Sequence, residues 1–83
     1  MNYVGIARRT TRLHTHYQLI LWDNGAIEFS IMDKKSVTHI SVNTLEDLFT
    51  FARAISTHKA RVVKELWTEL QLDIIERRNR NER

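Results

Sequence analysis

Residues 20–31 read ILWDNGAIEFSI, and the way the chain turns inside LWDNGAIEF decides which side chains form the core. The turn takes either two residues, Asn24-Gly25, or three, Asp23-Asn24-Gly25. Side chains alternate along a strand, so the choice moves every side chain of one strand to the other face of the sheet. A two-residue turn sets Trp22 opposite Ile27, Ile20 opposite Phe29 and Gln18 opposite Ile31, which spreads apolar residues over both faces. A three-residue turn, with the glycine left-handed in a bulge, sets Leu21 opposite Ile27, Leu19 opposite Phe29 and Tyr17 opposite Ile31. Those six residues then share one face. Burying each bulky apolar side chain is worth roughly 1.5–3 kcal/mol, so this segregation favours the three-residue turn.

Either register leaves apolar residues on the second face. In the favoured one they are Ile20 and Trp22, with Met32 or Val37 nearby and Glu28 and His39 beside them. They are covered by the first strand or by a helix end, or they form a patch that anchors a partner.

Outward from this hairpin, His16–Trp22, Ala26–Met32 and Ser36–Val42 read as three consecutive antiparallel strands. Tyr3–Ala7 adds a short fourth strand, or residues 1–14 remain a basic arm. Asn43 with Glu46, or Thr44 with Asp47, opens the helical half with a capping box. From Leu45 to Ile74 apolar residues recur near a 3.6-residue period, through Leu48, Phe49, Ala52, Ile55, Ala60, Val63, Leu66, Trp67 and Leu70. Two arrangements fit. A single long helix would overhang the sheet and offer half its stripe to a second chain. Two helices broken near Ser56-Thr57-His58 would fold back on the sheet, and the weak helix formers there favour the break. The expected fold is therefore α+β: a three-stranded antiparallel meander, four-stranded if the first segment joins, packed on one long or two consecutive C-terminal helices. It forms one domain, with the meander over 15–42, the helical half over 43–78 and a polar tail over 79–83.

With 83 residues the core is limited. The chain has no cysteine, and therefore neither disulfides nor thiolate metal sites. No secretory pattern opens it and no apolar run is long enough for a membrane span. A soluble protein of the cytoplasm is expected. The net charge of +3 is unevenly spread, with Arg8, Arg9 and Arg12 at one end and Arg77, Arg78, Arg80 and Arg83 at the other.

No motif for a nucleophile, a phosphate-cradling loop or a metal centre stands out, so neither catalysis nor a cofactor is expected. His14 and His16 share a face of an extended segment, but with no carboxylate or cysteine at ligand spacing they read as surface histidines. Glu65 and Glu69 lie four apart on a helix and read as a solvated face paired with Arg61, Lys64 or Lys59. Arg8, Arg9 and Arg12, with Thr10 and Thr11, suit phosphate contact, and the arginines at 77, 78 and 80 complement a helix C-terminus or touch nucleic acid.

Residues 34–70, KKSVTHISVNTLEDLFTFARAISTHKARVVKELWTEL, run strand, capped helix, turn, helix. In that order they resemble a ribbon-helix-helix module, which implies a DNA-binding dimer with Val37, His39 and Ser41, or Thr38 in the other phase, outward on the strand. The meander HYQLILWDNGAIEFSIMDKKSVTHISV followed by NTLEDLFTFARAI resembles small phage proteins that include anti-CRISPR inhibitors. That resemblance implies a non-enzymatic inhibitor that binds and blocks a host defence or regulatory complex. The residues expected to meet such a partner are Ile20, Trp22, Glu28, Val37 and His39. The alternative is a small basic nucleic-acid-binding regulator using Arg8, Arg9, Arg12, Arg77, Arg78 and Arg80, dimeric through the second half of its helical region.

Overall fold

The computed structural model describes residues 2–81, and Arg83 lies outside that range. Four strands, β1 (Tyr3–Thr10), β2 (His16–Trp22), β3 (Ile27–Met32) and β4 (Val37–Val42), precede two helices, α1 (Leu45–Ile55) and α2 (Thr57–Asn81). The strands form one antiparallel sheet in the order β1-β2-β3-β4. Both helices pack on the same face of it, α1 beneath β3 and β4 and α2 along β1 and β2. The fold is the expected α+β meander with its fourth strand present.

The register of β2 on β3 is Leu21↔Ile27, Leu19↔Phe29 and Tyr17↔Ile31, that of the three-residue turn. Gly25 holds φ at +89°, its N–H donates to the Trp22 carbonyl at 3.0 Å, and the Trp22 N–H donates to the Ala26 carbonyl at 2.9 Å. Only glycine enters this conformation without a steric penalty. The preceding hairpin has the same design. The Thr11 N–H donates to the Thr15 carbonyl, and His14 takes the left-handed position at φ 62°. The N-terminal segment is therefore no arm. β1 continues through Arg8 and Arg9 to Thr10, three residues beyond the expected strand, and Arg12 and Leu13 form a tight loop tip.

The core face carries Tyr17, Leu19, Ile27, Phe29 and Ile31 from the sheet, with Leu48, Ala52, Val62, Val63, Leu66 and Leu70 from the helices. Phe29 and Leu19 are almost fully enclosed, and the Tyr17 and Phe29 rings stack with centroids 6.4 Å apart. The helix breaks at Ser56, which serves both neighbours. Its N–H closes α1 on the Ala52 carbonyl, its carbonyl accepts from the Ala60 N–H, and its Oγ accepts the Lys59 N–H at 3.0 Å. One residue thus ends one helix and caps the next, with no need of glycine or proline. The Thr44 Oγ1 caps α1 by accepting from the Asp47 N–H. Because of the break α2 doubles back, and its Leu66–Leu70–Ile74 stripe is spent on the sheet rather than left for a second chain. α2 also runs helical to Asn81, into the expected polar tail over 79–83, and the remainder of that tail lies outside the described residues.

α2 runs antiparallel to β1 and locks onto it. Arg9 reaches Glu65 at 2.6 Å and Glu69 at 3.4 Å, which replaces the expected intrahelical partners of those two glutamates. Further along, the Asp73 carboxylate accepts the Ile6 backbone N–H at 3.0 Å and pairs with Arg77 at 2.8 Å. Arg77 in turn lies 4.8 Å over the Tyr3 ring. Burial opposes ionisation of Asp73, but the Arg77 guanidinium and the Ile6 N–H together hold its carboxyl below the usual range.

Gly5 sits where the helix comes closest: a Cβ there would stand 2.6 Å from the Ile74 Cγ1 and 3.3 Å from the Leu70 carbonyl oxygen. Gly5→Ala should therefore cost about 1–3 kcal/mol in a urea titration, because either Ile74 changes rotamer or α2 moves outward. A variant as stable as the parent would show that the helix is not so close. The Asp73 interaction stabilises the fold above the ordinary carboxylate pKa near 3.8 and is lost as pH falls through the lower folded value. The stability advantage of the parent over Asp73→Asn should then be full at neutral pH and shrink below about pH 4. An advantage independent of pH would contradict the assignment.

Candidate functional site

The helices cover one face of the sheet and leave the other open across all four strands. Alternation and register place Ile6, Arg8, Gln18, Ile20, Trp22, Glu28, Ser30, Met32, Val37, His39 and Ser41 on this open face. All five residues expected to meet a partner, Ile20, Trp22, Glu28, Val37 and His39, are thus brought together on one surface. The open face is organised in bands.

At one end Ile6 stands beside Ile20, and the Tyr3 ring meets the Trp22 indole edge-on at 6.4 Å. Tyr3 arrives there because β1 bulges at Val4, where the register shifts between Tyr3↔Trp22 and Gly5↔Leu21. Ile20 and Trp22 are accordingly half-buried, covered in part by the first strand. Across the middle runs a polar row, Arg8–Gln18–Ser30–His39. The Arg8 Nε donates to Gln18 at 3.0 Å, the His39 Nδ1 shares a proton with the Ser30 Oγ at 2.8 Å, and the His39 Nε2 lies 3.7 Å from Glu28. At the far end Met32 and Val37 stand opposite one another, 49% and 68% exposed. Tyr3, Ile6 and Met32 complete a surface whose outline was already visible in the alternation of β2 and β3.

Among the described residues the expected arginines do not assemble. Arg8 faces the open side, Arg9 is tied to α2, and Arg12 sits on the β1–β2 loop tip. Arg77 is engaged by Asp73 and Tyr3, while Arg78 and Arg80 are exposed on the last turns of α2, at the opposite end of the sheet from Arg12. A different basic cluster appears between the helices. A groove of about 420 Å³ is floored by Phe49 and Ala60 and lined by Thr57, Arg53, Arg61 and Lys64. These three cations stand on two helices, and sequence spacing alone gave no sign that they would meet. Among the described residues no group of three or more His, Cys, Asp or Glu side chains is placed to hold a metal ion. No helix among them is long and apolar enough to cross a membrane.

The Trp22 indole N–H is buried and finds no acceptor among the described residues. An unpaired buried donor costs about 1–3 kcal/mol. Trp22→Phe should therefore leave thermal stability unchanged or slightly raised, whereas Trp22→Ala should lower it by about 2 kcal/mol or more through lost packing on Tyr3. Equal losses in the two variants would mean that the indole N–H is in fact satisfied. No protein-family model, no curated protein and no solved structure matches this chain.

Proposed function

We propose that the protein is a non-enzymatic interaction protein that docks on a protein partner through its open sheet face. The observation that supports this most is the separation of the two faces. The helices use one, and the other carries apolar residues at both ends with a hydrogen-bonded polar row between them. Such a surface suits a partner that offers apolar contacts flanking a polar strip, since apolar anchors supply affinity and the polar row fixes orientation. The half-covered Trp22 and Ile20 form one anchor, and Met32 with Val37 forms the other. Blocking a host defence or regulatory complex, as small phage inhibitors do, is the specific role that fits a chain of this size. It acts by occlusion and needs no chemistry of its own.

A nucleic-acid role would rest on the Arg53–Arg61–Lys64 groove rather than on the dispersed arginines. One set of variants separates the two. Ile20→Glu with Met32→Glu charges the open face, and Arg53→Ala with Arg61→Ala and Lys64→Ala neutralises the groove. Capture of a host complex by the parent should be lost in the first variant and kept in the second, with unchanged circular dichroism in both. Capture that survives the charged sheet face would contradict the docking surface. Binding to labelled duplex or single-stranded nucleic acid, with a salt slope that only the groove variant flattens, would place the function on the helices instead.

A further inference from the structure

The two edges of the sheet are treated differently. Alternation of the hydrogen-bond ladders shows which backbone groups each edge presents. On β1 the pairs Gly5↔Leu21, Ala7↔Leu19 and Arg9↔Tyr17 face β2, so the Ile6 N–H points outward, where the Asp73 carboxylate takes it. That edge is guarded by α2. On β4 the Asp33 N–H donates to the Ser36 carbonyl at 3.0 Å, which sets the parity of the hairpin. Thr38, Ile40 and Val42 therefore bond to β3, and Val37, His39 and Ser41 turn their N–H and C=O groups outward. No element lies against this edge among the described residues, since α1 packs beneath the strand rather than beside it. The strand VTHISV has no lysine, no proline and no bulge, which are the usual devices that keep an edge from pairing.

We propose that β4 pairs antiparallel with β4 of a second copy of this chain, about a two-fold axis at His39. In that register His39 faces its own counterpart and Val37 faces Ser41 of the second copy. Both faces match, because outward residues meet outward ones. About six main-chain hydrogen bonds form, and they use the outward groups of Val37, His39 and Ser41 in both copies. The flanks select the antiparallel arrangement. Lys34 and Lys35 precede the strand, while Glu46 and Asp47 in the first turn of α1 follow it. Antiparallel pairing brings the lysine end of each copy to the acidic end of the other, twice over. Parallel pairing would set like charges together. The result is one eight-stranded sheet with all four helices on one side and a doubled open face on the other. The ladder alone is small for an interface, so the dimer should be concentration-dependent, in roughly the micromolar range.

The test is molar mass by sedimentation equilibrium on the full chain across a concentration series. The parent should move from monomer to dimer mass. Ser41→Pro removes an outward N–H that β3 does not use, and should remain monomeric with unchanged circular dichroism. Lys35→Glu should weaken association at least several-fold, and Lys35→Glu with Glu46→Lys should regain it, and more so at low salt. This pair keeps the proposal testable if the proline variant fails to fold. A parent that stays monomeric at the highest concentration overturns the proposal. So does a folded Ser41→Pro variant that still dimerises, or a double charge swap that restores nothing.

Discussion

The turn at Asp23-Asn24-Gly25 is the constraint on which the other features depend. With Gly25 left-handed, β2 and β3 meet so that Tyr17, Leu19 and Leu21 share a face with Ile27, Phe29 and Ile31. That face is apolar enough to hold two helices. The same registry delivers Gln18, Ile20 and Trp22 to the opposite face together with Glu28 and Ser30. A one-residue slip would divide the apolar residues between the faces and leave the helices no continuous surface to cover. One glycine conformation therefore settles both where the core lies and which side chains are left for a partner.

Once the sheet is in register, α2 fixes its asymmetry. Gly5 has no Cβ to hold the helix off, so Ile74 settles against the β1 backbone. Arg9 then finds Glu65 and Glu69, Ile6 finds Asp73 and Tyr3 finds Arg77, at successive turns of the helix. These exposed or half-exposed polar contacts are individually modest. Their effect is positional, because they keep the helix along one edge of the sheet, guarding it, while β4 at the other edge has no such cover.

Much of this could be read in the chain, and the reasons differ residue by residue. Alternation over residues 17–32 carries the register because burial is paid per side chain and only one pairing collects the bulky ones. The break at Ser56 was legible as a run of weak helix formers, though the double capping that makes it sharp depends on backbone groups no pattern displays. Arg8-Arg9-Thr10 read as a basic arm because its strand character comes from pairing with β2, and Arg9's partners lie 56 and 60 positions away. The role of Gly5 is equally nonlocal, since it follows from Leu70 and Ile74 on a helix that begins only at Thr57. The cation-lined groove was invisible for the same reason: Arg53 meets Arg61 and Lys64 only after the chain folds at Ser56.

The contrast between a guarded edge and a free one is most directly tested by residue-resolved amide hydrogen exchange at two protein concentrations. Ile6 should be slow at both concentrations, as should Thr38, Ile40 and Val42 within the ladder. Val37, His39 and Ser41 should exchange fast in dilute solution and slow in concentrated solution. Fast exchange at Ile6, or slow exchange at the three outward β4 amides in dilute monomer, would contradict it.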